Sequence, residues 1–142
     1  MAQNAGIIVF NSINETIILT GDGNPFPKTS ITALETYLET AWRGLKENTG
    51  LSCNSVELFD VTVDETDDLR NLSSRYFVGY VPDLRNCVIL DQEADTFTKI
   101  KWWQNVGVAL NSKILTHSEK RTLKQAHEIC INTLIKRHRS NN

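Results

Sequence analysis

The 142-residue sequence has little of what marks specialised chains: seven glycines, three prolines, three cysteines and one methionine. Scarce Gly and Pro exclude collagenous and low-complexity classes, and 40% apolar with 23% charged residues excludes a disordered chain. Cys53, Cys87 and Cys130 are an odd, widely separated set without a Cys-x-x-Cys pair, which excludes a disulfide framework and a zinc site and leaves buried free thiols as the expectation. No stretch approaches the roughly 20 apolar residues of a membrane span, and Met1–Phe10 lacks the basic and apolar regions of a secretory signal. A reducing, cytoplasmic setting is expected. A formal charge of −2 offers no general attraction for nucleic acid or membrane, so a polyanion would need a local patch.

What is present reads as one domain, residues 1–142, long enough to bury a core without staples. Gly6-Ile-Ile-Val-Phe10 and Thr16-Ile-Ile-Leu-Thr20 are β-branched runs joined at hairpin length by Asn11-Ser-Ile-Asn14. Two glycines and two prolines in Gly21–Pro27 then demand a loop. Thr32-Ala-Leu-Glu35 fits a capping box, and Leu34, Leu38, Ala41, Trp42 and Leu45 recur at helical steps, predicting a helix over 33–48 stopped by Gly50. Strands are expected at 56–63, 75–81 and 87–90, with the acidic run 64–68 as a solvated loop. A second capping box, Thr116-His-Ser-Glu119, opens a closing helix of about 20 residues whose basic end, Lys136–Arg139, complements the helix dipole. His117 and His127 lack metal-ligand spacing and are expected to be structural.

One constellation stands out. Glu35, Glu39, Arg43 and Glu47 are four apart, which stacks three carboxylates and a guanidinium on one helix face beside Pro27-Lys28. On periodicity alone, that is a ladder of surface ion pairs worth a few tenths of a kcal/mol each.

The stretch Pro27-Lys28-Thr29, Glu35, Arg43-Gly-Leu-Lys-Glu-Asn48 and Gly50-Leu51 resembles a Nudix box, G-x5-E-x7-R-E-U-x-E-E-x-G-U with U aliphatic, in register without a gap. The Ala5–Phe10 strand, Leu38-Glu-Thr-Ala41, Ile100-Lys-Trp102 and Leu123-Lys-Gln-Ala-His127 extend the likeness over nearly the whole chain, closest in appearance to the dinucleoside tetraphosphate hydrolase branch. The resemblance implies an α/β/α sandwich with a mixed sheet between the box helix and the C-terminal helix. It also implies box glutamates that hold magnesium or manganese on a pyrophosphate while water attacks phosphorus, because hard cations need clustered oxygen ligands.

Here the box departs from its pattern at three places: Thr29 replaces the opening Gly, Gly44 the Glu after Arg43, and Asn48 the last Glu. Glu35, Arg43 and Glu47 are kept as the candidate catalytic set, with Glu47 the sole surviving metal ligand of the Arg-Glu-U-x-Glu-Glu part. The family also suggests Glu93 or Asp95, upstream of Trp102, as a replacement ligand. Lys28 is a candidate for phosphate, and Tyr76, Tyr80 and Trp102 for base stacking, with alternation putting Tyr76 and Tyr80 on one sheet face and Phe77 on the other. A small residue at position 44 would also admit a bulky neighbour or a ligand. The resemblance therefore points to a degenerate Nudix protein that binds a nucleotide, RNA or a protein with absent or feeble hydrolysis. The alternative is a magnesium- or manganese-dependent pyrophosphohydrolase of nucleoside polyphosphates such as diadenosine tetraphosphate.

Overall fold

β1 (Asn4–Ser12) is the strand around which the fold is built, in a computed structural model that describes residues 2–19, 25–67, 69, 71–82 and 101–140. Ala5, Ile7, Ile8, Val9 and Phe10 are all fully buried, so this unbroken apolar run needs cover on both faces. Along one edge β1 pairs in parallel with β5 (Leu72–Tyr80), Ile8 opposite Val78. The other edge is shared: β3 (Lys28–Ser30) pairs with Asn4–Gly6, and β2 (Glu15–Leu19) pairs farther along, Phe10 opposite Thr16. β4 (Glu57–Thr66) lies outside β5, and β6 (Lys101–Asn105) lies outside β2. Six strands are thus joined among the described residues, one pairing parallel and the rest antiparallel.

Alternation along β1 divides the core in two. Ala5, Ile7 and Val9 pack with Ala41 and Leu45 of α1 (Tyr37–Thr49), while Ile8 and Phe10 pack with Leu123, Ala126 and Cys130 of α3 (His117–Ser140). The result is an α/β/α sandwich around a mixed sheet. A short helix, α2 (Val106–Leu110), follows β6. The expected capping box of α3 is formed: the Thr116 amide donates to Glu119 Oε1 at 2.8 Å and the Glu119 amide to Thr116 Oγ1 at 3.2 Å. At its basic end Arg137 pairs with Glu57 and lies over the Phe59 ring. No helix among the described residues is long and apolar enough to cross a membrane.

Several expectations are corrected. Residues Asp64–Thr66 extend β4 instead of forming a solvated loop, because Asp64 sits opposite Arg75 and accepts from its Nε at 2.9 Å. Asn11 and Ser12 continue β1, so the hairpin turn narrows to Ile13-Asn14. β3 and β6 were not foreseen. Cys130 is buried, and burial pushes its thiol up to about 11, but Cys53 is exposed. The strand expected at 87–90 lies outside the described residues.

Candidate functional site

The helix that carries the box starts later than its first capping signal. Thr32 and Glu35 form a turn before the helix, the Glu35 amide donating to Thr32 O at 3.2 Å. Thr36 is the N-cap: its hydroxyl accepts from the Glu39 amide at 3.1 Å, and its own amide donates to Glu39 Oε1 at 3.0 Å. Two overlapping Thr-x-x-Glu signals compete here, and the second prevails because the first glutamate is engaged elsewhere. Leu34 is consequently 96% exposed, outside the apolar helix face it was expected to join. Glu39 caps the helix end, while Arg43 bonds to Glu35 and Glu47. The box glycine, Gly50, ends the helix at φ 79°, the left-handed conformation glycine adopts without strain, its amide reaching Lys46 O at 2.9 Å.

Glu35 is held by a fork. Arg43 donates through Nε to Oε2 and through Nη2 to Oε1, both at 2.8 Å, and the Thr40 hydroxyl adds a bond at 3.0 Å. The Arg43 hydrogen bond is the main cause that brings the Glu35 carboxyl down to about 2, against partial desolvation and with help from Thr40 and Thr32. Arg43 also reaches Glu47 at 3.2 Å and the carbonyl of Ser30 at 2.9 Å. This stripe ties the segment before α1, and the end of β3, to the helix. Glu47 is the most open of the three, with a side chain 56% exposed.

The stripe of α1 that faces β3 is of another kind. Gly44 is buried, and a Cβ there would lie 3.0 Å from Lys28 C and 3.0 Å from Thr29 N. One turn later, Asn48 Nδ2 donates to Lys28 O at 3.1 Å and to Gly44 O at 2.7 Å. Both partners are carbonyls, which accept only, so the amide nitrogen must point at them. Sequence reasoning missed this bridge; its one local signal was an asparagine four residues after a helical glycine.

The remaining candidates scatter. Lys28 directs Nζ to Ser74 Oγ at 3.5 Å. Tyr76 is 1% exposed, edge-on to Phe26 in the core beneath α3, which corrects its reading as a stacking surface. Tyr80 shares that face, as alternation required, but stacks on Phe59 and is partly buried. Trp102 is placed on β6 opposite Ile18, with β1 and β2 between it and β5. Glu93 and Asp95 lie outside the described residues. His127 bonds to Ile13 O, a structural role.

The donor chemistry tests the expected cation directly. Magnesium demands oxygen ligands in near-octahedral array. Glu35 is occupied by a guanidinium, position 44 has no side chain, and Asn48 turns N–H donors toward the nearby carbonyls, so the described box residues do not fit a divalent ion. No group of three or more Asp, Glu, His or Cys converges for a metal among the described residues. At the other end of α1, an open recess of about 720 Å³ is walled by Ala2, Ile31, Ala33 and Tyr37, with Glu35 at its edge.

A mixed sheet between a box helix and a C-terminal helix, with the helix ended by a left-handed glycine, is the Nudix fold. A crystal structure of the C. elegans Ap4A hydrolase matches it with a TM-score of 0.68 at 15% identity, covering 92% of this chain and 99% of that one. RenU, a Nudix hydrolase from M. smegmatis, matches at 0.66 and 10% identity over 92% and 87%. Shewanella oneidensis NrtR complexed with a 27mer DNA matches at 0.60 and 17% identity, over 89% of this chain and 61% of that one. No protein-family model matches the sequence, and no curated protein matches it.

Proposed function

We propose that this chain is a single Nudix-fold binding module for a nucleotide-sized ligand, with hydrolysis absent or feeble. The observation that carries the reading is the close approach of β3 at Gly44: a Cβ there would lie 3.0 Å from Lys28 C and Thr29 N, so a ligand-bearing side chain would have to displace main chain. Two box carboxylates are missing and a third is neutralised by Arg43. Each roughly 1.4 kcal/mol of lost transition-state stabilisation is a factor of ten in rate, so the deficit amounts to several orders of magnitude. A fold does not dictate its chemistry, and the similarity to a DNA-complexed NrtR supports a binding role for this one, with RNA, DNA or a protein as other occupants. The recess beside Glu35 falls in the roughly 300–1,000 Å³ range of small-molecule sites.

One observation favours the second reading, a magnesium- or manganese-dependent pyrophosphohydrolase: the Glu47 carboxylate is exposed, and Glu93 or Asp95 would have to complete its ligand set. The test is incubation of the pure protein with diadenosine tetraphosphate and either metal, with products followed by chromatography, alongside calorimetric titration of the same nucleotide. Binding without turnover is expected. Brisk, chelator-sensitive hydrolysis, lost in Glu47→Gln, would replace the first reading with the second.

A further inference from the structure

We propose that a side-chain amide has taken over the structural task of a cation in this box: Asn48 bridges the carbonyls of Lys28 and Gly44, and the joint between α1 and β3 closes without metal. The inference rests on the reading of the box as non-catalytic and goes beyond it, because it says what fills the place of the lost chemistry.

Three features of the contact agree. An amide NH₂ has two donors, and two carbonyls use both. Gly44 supplies the second requirement, since a side chain at that position would press on the Lys28 and Thr29 backbone and hold the strand off. The third is the way β3 is fastened. Its first residue is held through Lys28 O by Asn48 and its last through Ser30 O by Arg43, so both ends of a three-residue strand are tied to α1 by side-chain N–H groups.

The sign of the charge decides which residue belongs at position 48. A carboxylate there would aim negative oxygens at two carbonyl oxygens, an arrangement that repels unless a cation stands between them. Asparagine has the shape of aspartate with the opposite partial charge at the contacting atom. It holds the carbonyls as an ion would, but needs no ion.

The experiment compares thermal unfolding of the full chain and its Asn48→Ala and Asn48→Asp variants in EDTA and in manganese chloride at matched ionic strength, with calorimetric titration of manganese. The wild type is expected to melt at the same temperature in both. Asn48→Ala is expected to melt about 3–8 °C lower in both, since it leaves the Lys28 carbonyl without its side-chain donor and unties β3 from α1. Asn48→Asp is expected to melt lower still in EDTA, and manganese should bind it and restore a large part of the loss. Saturable manganese stabilisation of the wild type would overturn the proposal, as would an Asn48→Ala protein that melts like wild type or an Asn48→Asp protein that manganese does not rescue. Hydrolysis by a wild type whose melting ignores manganese would instead overturn the functional reading and leave the amide joint standing.

Discussion

Two stripes of α1 carry the box positions, and they differ in what became of them. The stripe with Arg43 and Glu47 keeps the residues of the pattern, and its charges are directed at one another and at Glu35. The stripe with Gly44 and Asn48 departs from the pattern, and it meets the backbone of β3. Retained letters of the pattern therefore also serve the architecture. Glu35 and Arg43 are kept in a place where an ion pair fastens the chain entering the helix, a purpose the fold needs with or without a reaction.

The comparison breaks most visibly if the altered stripe is restored. Were only ligands missing, Gly44→Glu with Asn48→Glu would confer metal-dependent turnover. The geometry predicts otherwise: side chains forced against β3 cost about 1–3 kcal/mol, and loss of the amide bridge leaves the half-buried Lys28 carbonyl without its donor at about 1–3 kcal/mol more, with roughly 1 kcal/mol regained from replacing a helical glycine. A net loss of about 3 kcal/mol lowers the melting temperature by about 6–12 °C. No nucleotide turnover should appear. A double variant that melts like wild type and hydrolyses nucleotide in manganese would show that the contact yields and that the missing carboxylates were the whole defect.

A smaller effect is expected from the retained stripe. Arg43→Ala removes the fork on Glu35, the bond to Glu47 and the tie to Ser30 O, all in solvated surroundings where such bonds are modest, so a drop in the denaturation midpoint smaller than that of the double variant is expected. Arg43→Lys should recover less than half, because an ammonium cannot reproduce the planar two-point grip. If Arg43→Ala costs more than the double change at 44 and 48, the ranking of the two stripes is reversed.

Much of the fold was legible because periodicity and caps are local. The unbroken apolar β1, the Thr116–Glu119 box and the glycine at 50 each state their structure within a few residues. β3 was not, since Lys28-Thr29-Ser30 has no apolar alternation and is a strand only through Gly6 and its neighbours on β1. The start of α1 was misplaced for a related reason: two Thr-x-x-Glu signals overlap, and the choice between them is made by Arg43, eight residues beyond Glu35. Of the site, a small residue at 44 was legible as room for a neighbour, while the identity of that neighbour, main chain 15–16 residues upstream, was not. Tyr76 and Tyr80 were correctly placed on one face, but only the packing of α3 revealed that this face is core.

The finest distinction between the stripes lies in acid. Glu35 falls from 4.5 to about 2 on folding because Arg43 favours its charged form. A carboxyl with a depressed folded value contributes stability that is complete above the unfolded value and is lost as pH falls toward the folded one, here between 4.5 and about 2. Asn48 and Gly44 carry no titratable group, so their joint is indifferent to that window. Glu119 works in the opposite sense: burial raises its carboxyl, so folding gains from it as pH falls through that raised value. Melting curves from pH 7 to pH 2 should therefore fall less steeply below 4.5 for Glu35→Gln than for wild type. Asn48→Ala should run parallel to wild type throughout. Parallel curves for Glu35→Gln would mean that the Arg43 fork is not kept in solution, and the retained stripe would then lose its role as the tie on the entering chain.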